Sequence, residues 1–189
     1  MCGRYTVFDD ADIPELQILL RHARETGIPF ATGEVFPSQH AMVVVQRENA
    51  PRVDVMQWGY TGPGSRLLIN ARAETAASKP TFAADLIARR CVVPTTGFYE
   101  WSHGAVKEKF LFSRDSSPLL YLGGIWHPGE DGGQFSILTT AANASMQPYH
   151  HRIPILLSPS DVRPWLASEQ FAQNLLLQTP PLLRAARAE

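Results

Sequence analysis

The sequence predicts an α+β domain with a mainly antiparallel, barrel-like β core and a few peripheral helices. Three observations carry this. Seven short runs rich in β-branched and aromatic residues crowd the middle of the chain. Turn signals, PG at 63–64, HG at 103–104 and GEDGG at 129–133, separate several of them, which favours hairpins over βαβ crossovers. Helical spacing is confined to three stretches, and no repeat, low-complexity tract or charge block marks an internal boundary, so residues 1–189 form a single domain.

Taken in order, residues 12–26 place Ile13, Leu16, Leu19 and Leu20 at helical spacing, with Pro14 near the start and Gly27 just past the end. The β runs follow as AMVVVQ (41–46) and VDVMQWGY (53–60). A second helix is expected over 81–90, where Phe82, Leu86 and Ile87 share a face. Then come CVVPTTGFYEW (91–101), KFLFS (109–113), LLYLGGIW (119–126), FSILTTA (135–141) and PILL (154–157), with a third helix within 159–177.

Of the 189 residues, 44 % are hydrophobic and 19 % charged, which suits a chain that buries a core and not a disordered one. Lys and Arg number 17 against 18 Asp and Glu, a net charge of −1, so long-range attraction to nucleic acid has no support from the total, although a local basic cleft remains open. No apolar run approaches the roughly 18 residues that cross a bilayer, and MCGRYTVFDD lacks the pattern of a secretory leader. A cytoplasmic protein with no membrane partner is expected, and with two cysteines, Cys2 and Cys91, no disulfide framework. Cys91, within an apolar strand, reads as a small buried hydrophobe.

Four features can carry chemistry. Removal of Met1 would leave the α-amine and thiol of Cys2 on one residue. The amine can add to an aldehyde and the thiol can then close a five-membered thiazolidine, a product no internal cysteine forms. The plain alternative is an arbitrary second residue. In GFYEW (97–101), Glu100 points away from Tyr99 and Trp101; enclosed, it suits general acid/base work, and exposed, it is an ordinary strand residue. In INARAET (69–75), a continuing strand sets Asn70, Arg72 and Glu74 on one face, fit to orient a substrate and grip phosphate, or merely an exposed edge. In YHHRIPILL (149–157), His150 and His151 on an extended segment would point to opposite sides, so at most one faces a site. These histidines, His103 and the cysteines show no paired metal-ligand spacing, and no metal is expected.

Together MCGRY, WGY (58–60), NARAET (70–75), RCVVPTTGFYEW (90–101), GGIW (123–126), TTAAN (139–143) and HHRIPILL (150–157) resemble, in order and over about residues 2–166, the SOS response-associated peptidase (SRAP) family. The resemblance implies a sensor of abasic sites in single-stranded DNA that crosslinks itself to the lesion through its N-terminal cysteine, without a cofactor and as a monomer, nucleoid-associated when bound. By position it implies Cys2 as the crosslinking residue, Glu100 as the catalytic glutamate, and His150 as the histidine that shuttles a proton or holds the opened sugar. Asn70 would orient the N-terminal residue. Arg4 and Arg72 are implied as phosphate and lesion grips, with Thr139 and the turn at Pro37 lining the DNA groove. An abasic deoxyribose is mainly a closed hemiacetal, so an acid/base pair is needed to expose its aldehyde, and Glu100 and His150 supply one. Trp58, Trp101 and Tyr99 are candidates for stacking on bases.

Three departures stand out. Ile153 replaces the family's Met, the stretch after WGY is short and lacks a tryptophan, and LLRAARAE lacks the family's final strand-like segment, so the sheet edge is expected to be covered differently. The rival reading from another class is a thiol (auto)peptidase or N-terminal-nucleophile hydrolase that attacks through Cys2. A third is a binding module for single strands with no chemistry.

Overall fold

A computed structural model describes residues 2–9, 12–103, 106–129 and 132–188. Met1, Gly104 of the HG turn, and Glu130 and Asp131 of the GEDGG turn lie outside the described residues. In chain order come β1 (Tyr5–Val7), α1 (Pro14–Glu25), β2 (Gly33–Val35), β3 (His40–Arg47), β4 (Ala50–Trp58), β5 (Tyr60–Thr61), β6 (Leu67–Leu68) and β7 (Asn70–Arg72). Then follow α2 (Ala73–Ala76), α3 (Pro80–Ala88), β8 (Arg90–Thr95), β9 (Gly97–Trp101), β10 (Lys109–Ser113), β11 (Leu120–His127) and β12 (Gln134–Ala141). The chain finishes with β13 (Arg152–Pro154), β14 (Leu156–Leu157), α4 (Val162–Ala167), α5 (Glu169–Leu176) and β15 (Arg184–Ala188).

The expected barrel is present. β12 pairs with β4, β4 with β3, β3 with β8, β8 with β11, and β11 with β12 again, so the ring closes and those strands lose their free edges. Most ladders are antiparallel, but β12 runs parallel to both β4 and β7, so hairpins alone do not build the sheet. A second sheet, in the order β15-β10-β9-β1-β2, lies beside it. Trp58, Phe135 and Tyr5 fill the core, with Tyr5 and Trp58 ring centroids 4.9 Å apart.

The continuous apolar run of β3 has a physical cause. Ala41 to Val45 are all buried because the strand is covered on both faces, on one by α1 and α4 and on the other by the barrel interior. Helix α1 starts at Pro14, buries Leu16, Leu20 and Ala23 on one face, and carries His22 and Arg24 in its last turn, where cations suit the helix dipole. It stops where the Thr26 hydroxyl turns back to donate to Ala23 O at 2.7 Å and Gly27 adopts φ 73°.

Three expectations need correction. The run 91–101 is two strands in two sheets, broken at Thr96, with Gly97 pressed against β10 so closely that a Cβ would lie 2.8 Å from Phe112 O and from Leu111 Cδ1. The helix within 159–177 is interrupted at Ser168, whose extended backbone ends α4 and whose Oγ accepts from Phe171 N at 3.2 Å to start α5. The C-terminal segment, expected to lack a strand, forms β15 and pairs along the whole of β10, because an open edge beside Phe110 and Phe112 accepts even the Ala/Arg-rich RAARA. No helix among the described residues is long and apolar enough to cross a membrane.

Candidate active site

The two sheets bring the chain's beginning to the middle of β9. In the β1–β9 ladder Tyr5 faces Phe98, and Tyr99 N–H donates to Arg4 O at 2.9 Å, so the same register carried outward sets Gly3, which has no side chain, across from Glu100. Cys2 is 1 % exposed, and the Asn70 Nδ2 amide donates to its carbonyl oxygen at 3.0 Å. Asn70 starts β7 opposite Ile137 of β12, so a rigid ladder holds the side chain that holds Cys2. Its Oδ1 is buried, with no hydrogen-bond partner among the described residues.

Glu100 is buried at 5 % exposure, and with Trp101, Ser102, His103, Lys107 and His150 it lines a cleft of ≈ 450 Å³. Burial pushes the Cys2 thiol well above its ordinary range, and the negative charge of Glu100 pushes it further. The thiol leans on the Arg4 carbonyl at 3.9 Å, a weak contact. At neutral pH it is therefore protonated.

His150 does not stand on an extended segment. Residues 144–149 form successive turns, and His150 N–H donates to Met146 O at 2.9 Å. The imidazoles of His150 and His151 consequently stack, centroids 4.3 Å apart, instead of pointing to opposite sides as expected, and His103 lies 6.2 Å from His150. His150 Nδ1 accepts the Arg152 backbone N–H at 2.9 Å, which leaves the proton of the neutral ring on Nε2. Burial, the positive amino terminus and His151 lower its pKa from 6.5 to about 4, so the ring is neutral at pH 7.

Cations cluster next to the cleft. The Arg4 guanidinium lies 4.3 Å from the Phe36 ring centroid and 5.2 Å from that of Trp101, and pairs with Glu34 at 3.1 Å. Lys109 Nζ sits 4.1 Å from the Tyr99 ring centroid and 2.6 Å from the other Glu34 oxygen. The Lys109 hydrogen bond, with Arg4 assisting, holds the Glu34 carboxyl below the usual range. Arg72 is exposed at the end of β7, Trp101 is half-buried at the cleft, and Pro37 is half-buried in a turn where Ser38 takes φ 71°.

Three expected contacts fail, the first because Tyr99 is buried with Lys109 Nζ over its ring and has no face left for a base. Trp58 is 0 % exposed, its indole N–H donates to Ile69 O at 3.0 Å and its ring packs on Tyr5 and Phe135, so it is core and cannot stack on a base. Thr139 is also 0 % exposed and its carbonyl accepts from Arg152 Nη2 at 2.6 Å, which makes it a support for Arg152 rather than a wall of a groove. The strand through Asn70 stops at Arg72, and Glu74, carried by α2, turns to grip Arg152. Sequence reasoning missed this pair, and also Lys107, Lys109 and Glu34, whose signal is only that of ordinary surface charge. Among the described residues no group of three His, Cys, Asp or Glu is arranged to hold a metal ion.

Comparison with known proteins shows what this arrangement is similar to. The chain is 30 % identical over 193 residues to the abasic site processing protein YoqW of Bacillus subtilis, covering 93 % of this chain and 86 % of that protein. To the abasic site processing protein YedK of Escherichia coli it is 29 % identical, covering 89 % of this chain and 81 % of that one. A crystal structure of a protein from Bacteroides thetaiotaomicron shares the fold with a TM-score of 0.81 at 23 % identity, covering 100 % of this chain and 92 % of that one. The model of the SOS response associated peptidase (SRAP) family matches residues 1–188, and the chain belongs to that family.

Proposed function

We propose that the protein processes abasic sites in single-stranded DNA by forming a thiazolidine crosslink through Cys2. The observation that carries this reading is the Asn70 amide on the Cys2 carbonyl, which holds the first residues beside the buried Glu100 and a neutral His150. Relatives named as abasic site processing proteins, matched over most of their length, support the substrate class.

The reaction follows from the groups present. Removal of Met1 frees the Cys2 α-amine, whose ordinary pKa near 7.7–8.0 leaves part of it unprotonated at pH 7. The Nε2–H of neutral His150 hydrogen-bonds the ring oxygen of the closed sugar, which takes up a solvent proton as it leaves, while Glu100 takes the anomeric hydroxyl proton, and the aldehyde opens. The amine adds to C1′ and the hydroxyl leaves as water with the proton that Glu100 holds, giving an iminium and a Glu100 carboxylate again. The thiol then transfers its proton to Glu100, which returns it to solvent, and sulfur closes on C1′, so that aldehyde and aminothiol become thiazolidine and water. Arg4 and Arg72 supply charge for phosphates, and Trp101 an aromatic surface.

The thiol-hydrolase reading has less support. A hydrolytic cysteine works as a thiolate whose pKa an adjacent cation or imidazole lowers, and burial and Glu100 raise this one. The deciding experiment is intact-mass spectrometry after incubation with an oligonucleotide carrying one abasic site, beside its undamaged counterpart and a Cys2→Ala control. The reading expects one adduct, from Met1-free protein, on the damaged strand alone and absent in Cys2→Ala. Met1-free protein that forms no adduct refutes it.

A further inference from the structure

Glu74 and Arg152 join two elements of the site without entering its cleft. β12 has β7, which carries Asn70, along one side and β13, which begins at Arg152, along the other. Glu74 stands two residues beyond the end of β7 and reaches across: Arg152 Nη1 and Nη2 donate to its two carboxylate oxygens at 2.8 and 2.7 Å, and the Thr140 hydroxyl of β12 donates to Oε1 at 3.2 Å. Arg152 also donates to the Thr139 carbonyl, and its own backbone N–H is the one received by His150 Nδ1. A single carboxylate therefore ties together both flanks of β12.

We propose that Glu74 is a positioning residue, which by clamping Arg152 fixes His150 relative to Asn70 and keeps the Arg152 N–H on Nδ1 of the imidazole. The inference rests on the reaction proposed above for its catalytic consequence, but not for its effect on the ring. The clamp is a planar, bidentate fork, the arrangement that fixes angle as well as distance. The Arg152 hydrogen bonds hold the Glu74 carboxyl down to about 2, so the clamp is charged throughout the neutral range. Loss of the clamp releases the start of β13, and with it the N–H that dictates which ring nitrogen carries the proton. Among the described residues the charged or titratable groups facing His150 include His151 and His103, with Glu100 and Lys107 across the cleft. None of them is on α2, so a change at Glu74 reaches the ring through Arg152.

The test is the titration of the His150 ring by 15N NMR in wild-type, Glu74→Gln, Glu74→Ala and Glu74→Asp proteins, with His150→Gln for assignment, together with single-turnover crosslinking to an abasic oligonucleotide. Glu74→Gln keeps the volume and folds even if Glu74→Ala does not. In the wild type the neutral ring is expected to hold its proton on Nε2; in Glu74→Gln the Nδ1 and Nε2 resonances are expected to converge as both tautomers are populated. Crosslinking slows by about tenfold to a hundredfold, the cost of a misplaced group, and Glu74→Asp recovers part of it. A ring that keeps the single Nε2 tautomer in folded Glu74→Gln overturns the proposal, as does crosslinking at the wild-type rate. If wild-type protein does not crosslink at all, the reaction proposed above is wrong, and the tautomer of the ring alone decides the role of Glu74.

Discussion

Asn70→Ala is the substitution that addresses the site's geometry most directly. It removes the amide that donates at 3.0 Å to the Cys2 carbonyl and leaves that oxygen, on a residue only 1 % exposed, without its donor. Leaving a buried acceptor unsatisfied costs about 1–3 kcal/mol. If the bond is present in the transition state and the freed N-terminus wanders without it, that range becomes a slowing of about 5- to 160-fold. Asn70→Asp should be worse than Ala, because a carboxylate both fails to donate and sets negative charge against a carbonyl oxygen. The assay is single-turnover crosslinking to a labelled abasic oligonucleotide on a denaturing gel, using protein shown by mass to lack Met1. The expected order of rates is wild type, then Ala, then Asp, with affinity for undamaged strand little changed. Asn70→Asp that crosslinks as fast as wild type would refute the reasoning, since no aspartate can donate to that oxygen at neutral pH.

Other consequences are open to measurement. His150 has a folded pKa near 4 against 6.5 when unperturbed, so the folded state binds fewer protons between those values, and stability present above pH 6.5 is lost as pH falls toward 4. The difference is worth at most about 3 kcal/mol and less in a cleft open to water, and His150→Gln should flatten the fall in melting temperature over that window. Trp58→Ala should cost about 3–5 kcal/mol in denaturant unfolding, whereas Trp101→Ala should weaken single-strand binding with little change in midpoint; the reverse pattern would return Trp58 to the DNA surface. Arg90 is 6 % exposed and its guanidinium donates to the carbonyls of Leu86, Ile87, Trp165 and Leu166 at the ends of α3 and α4. Arg90→Met should therefore lower stability by about 2–4 kcal/mol, read from the unfolding midpoint, with no change in the crosslinking pH profile.

The β runs were legible because β-branched and aromatic residues mark them, and α1 because its apolar period and Pro14 agree. What the sequence hid has physical reasons. A break at Thr96 leaves no trace in CVVPTTGFYEW, since residues on both sides are buried in different sheets. Trp58 reads the same whether its ring meets Phe135 or a nucleobase, because composition carries no burial. The stacking of His150 on His151 depends on a turn between residues 144 and 149, where Asn143 Oδ1 accepts from Ser145 and Met146 N–H groups, a local bond that outweighs the extended conformation. Asn70 and Cys2 are 68 residues apart and meet only because β7 lies on β12, so no spacing rule reveals them. The family resemblance named both residues, but their hydrogen bond belongs to the fold.

The raised thiol pKa is at first sight a poor property for a nucleophile, yet in the proposed reaction it sets the order of events. A buried, protonated thiol cannot make the first attack at neutral pH, so the α-amine must. An α-amine adds usefully to aldehydes and hardly to amides or to the intact backbone of DNA, which in the proposed reaction restricts the site to carbonyl lesions before sulfur is engaged. Once the iminium forms beside it, the thiol meets an electrophile strong enough to justify loss of its proton, and the base of the proposed reaction is Glu100, whose charge adds to burial in holding the proton on sulfur beforehand. Protonation of Glu100 during ring closure removes that repulsion. Burial, with Glu100 adding to it, keeps the thiol quiet at rest, and Glu100 takes its proton at the step where it is needed, so in the proposed reaction the burial of Cys2 serves selectivity rather than opposing reactivity.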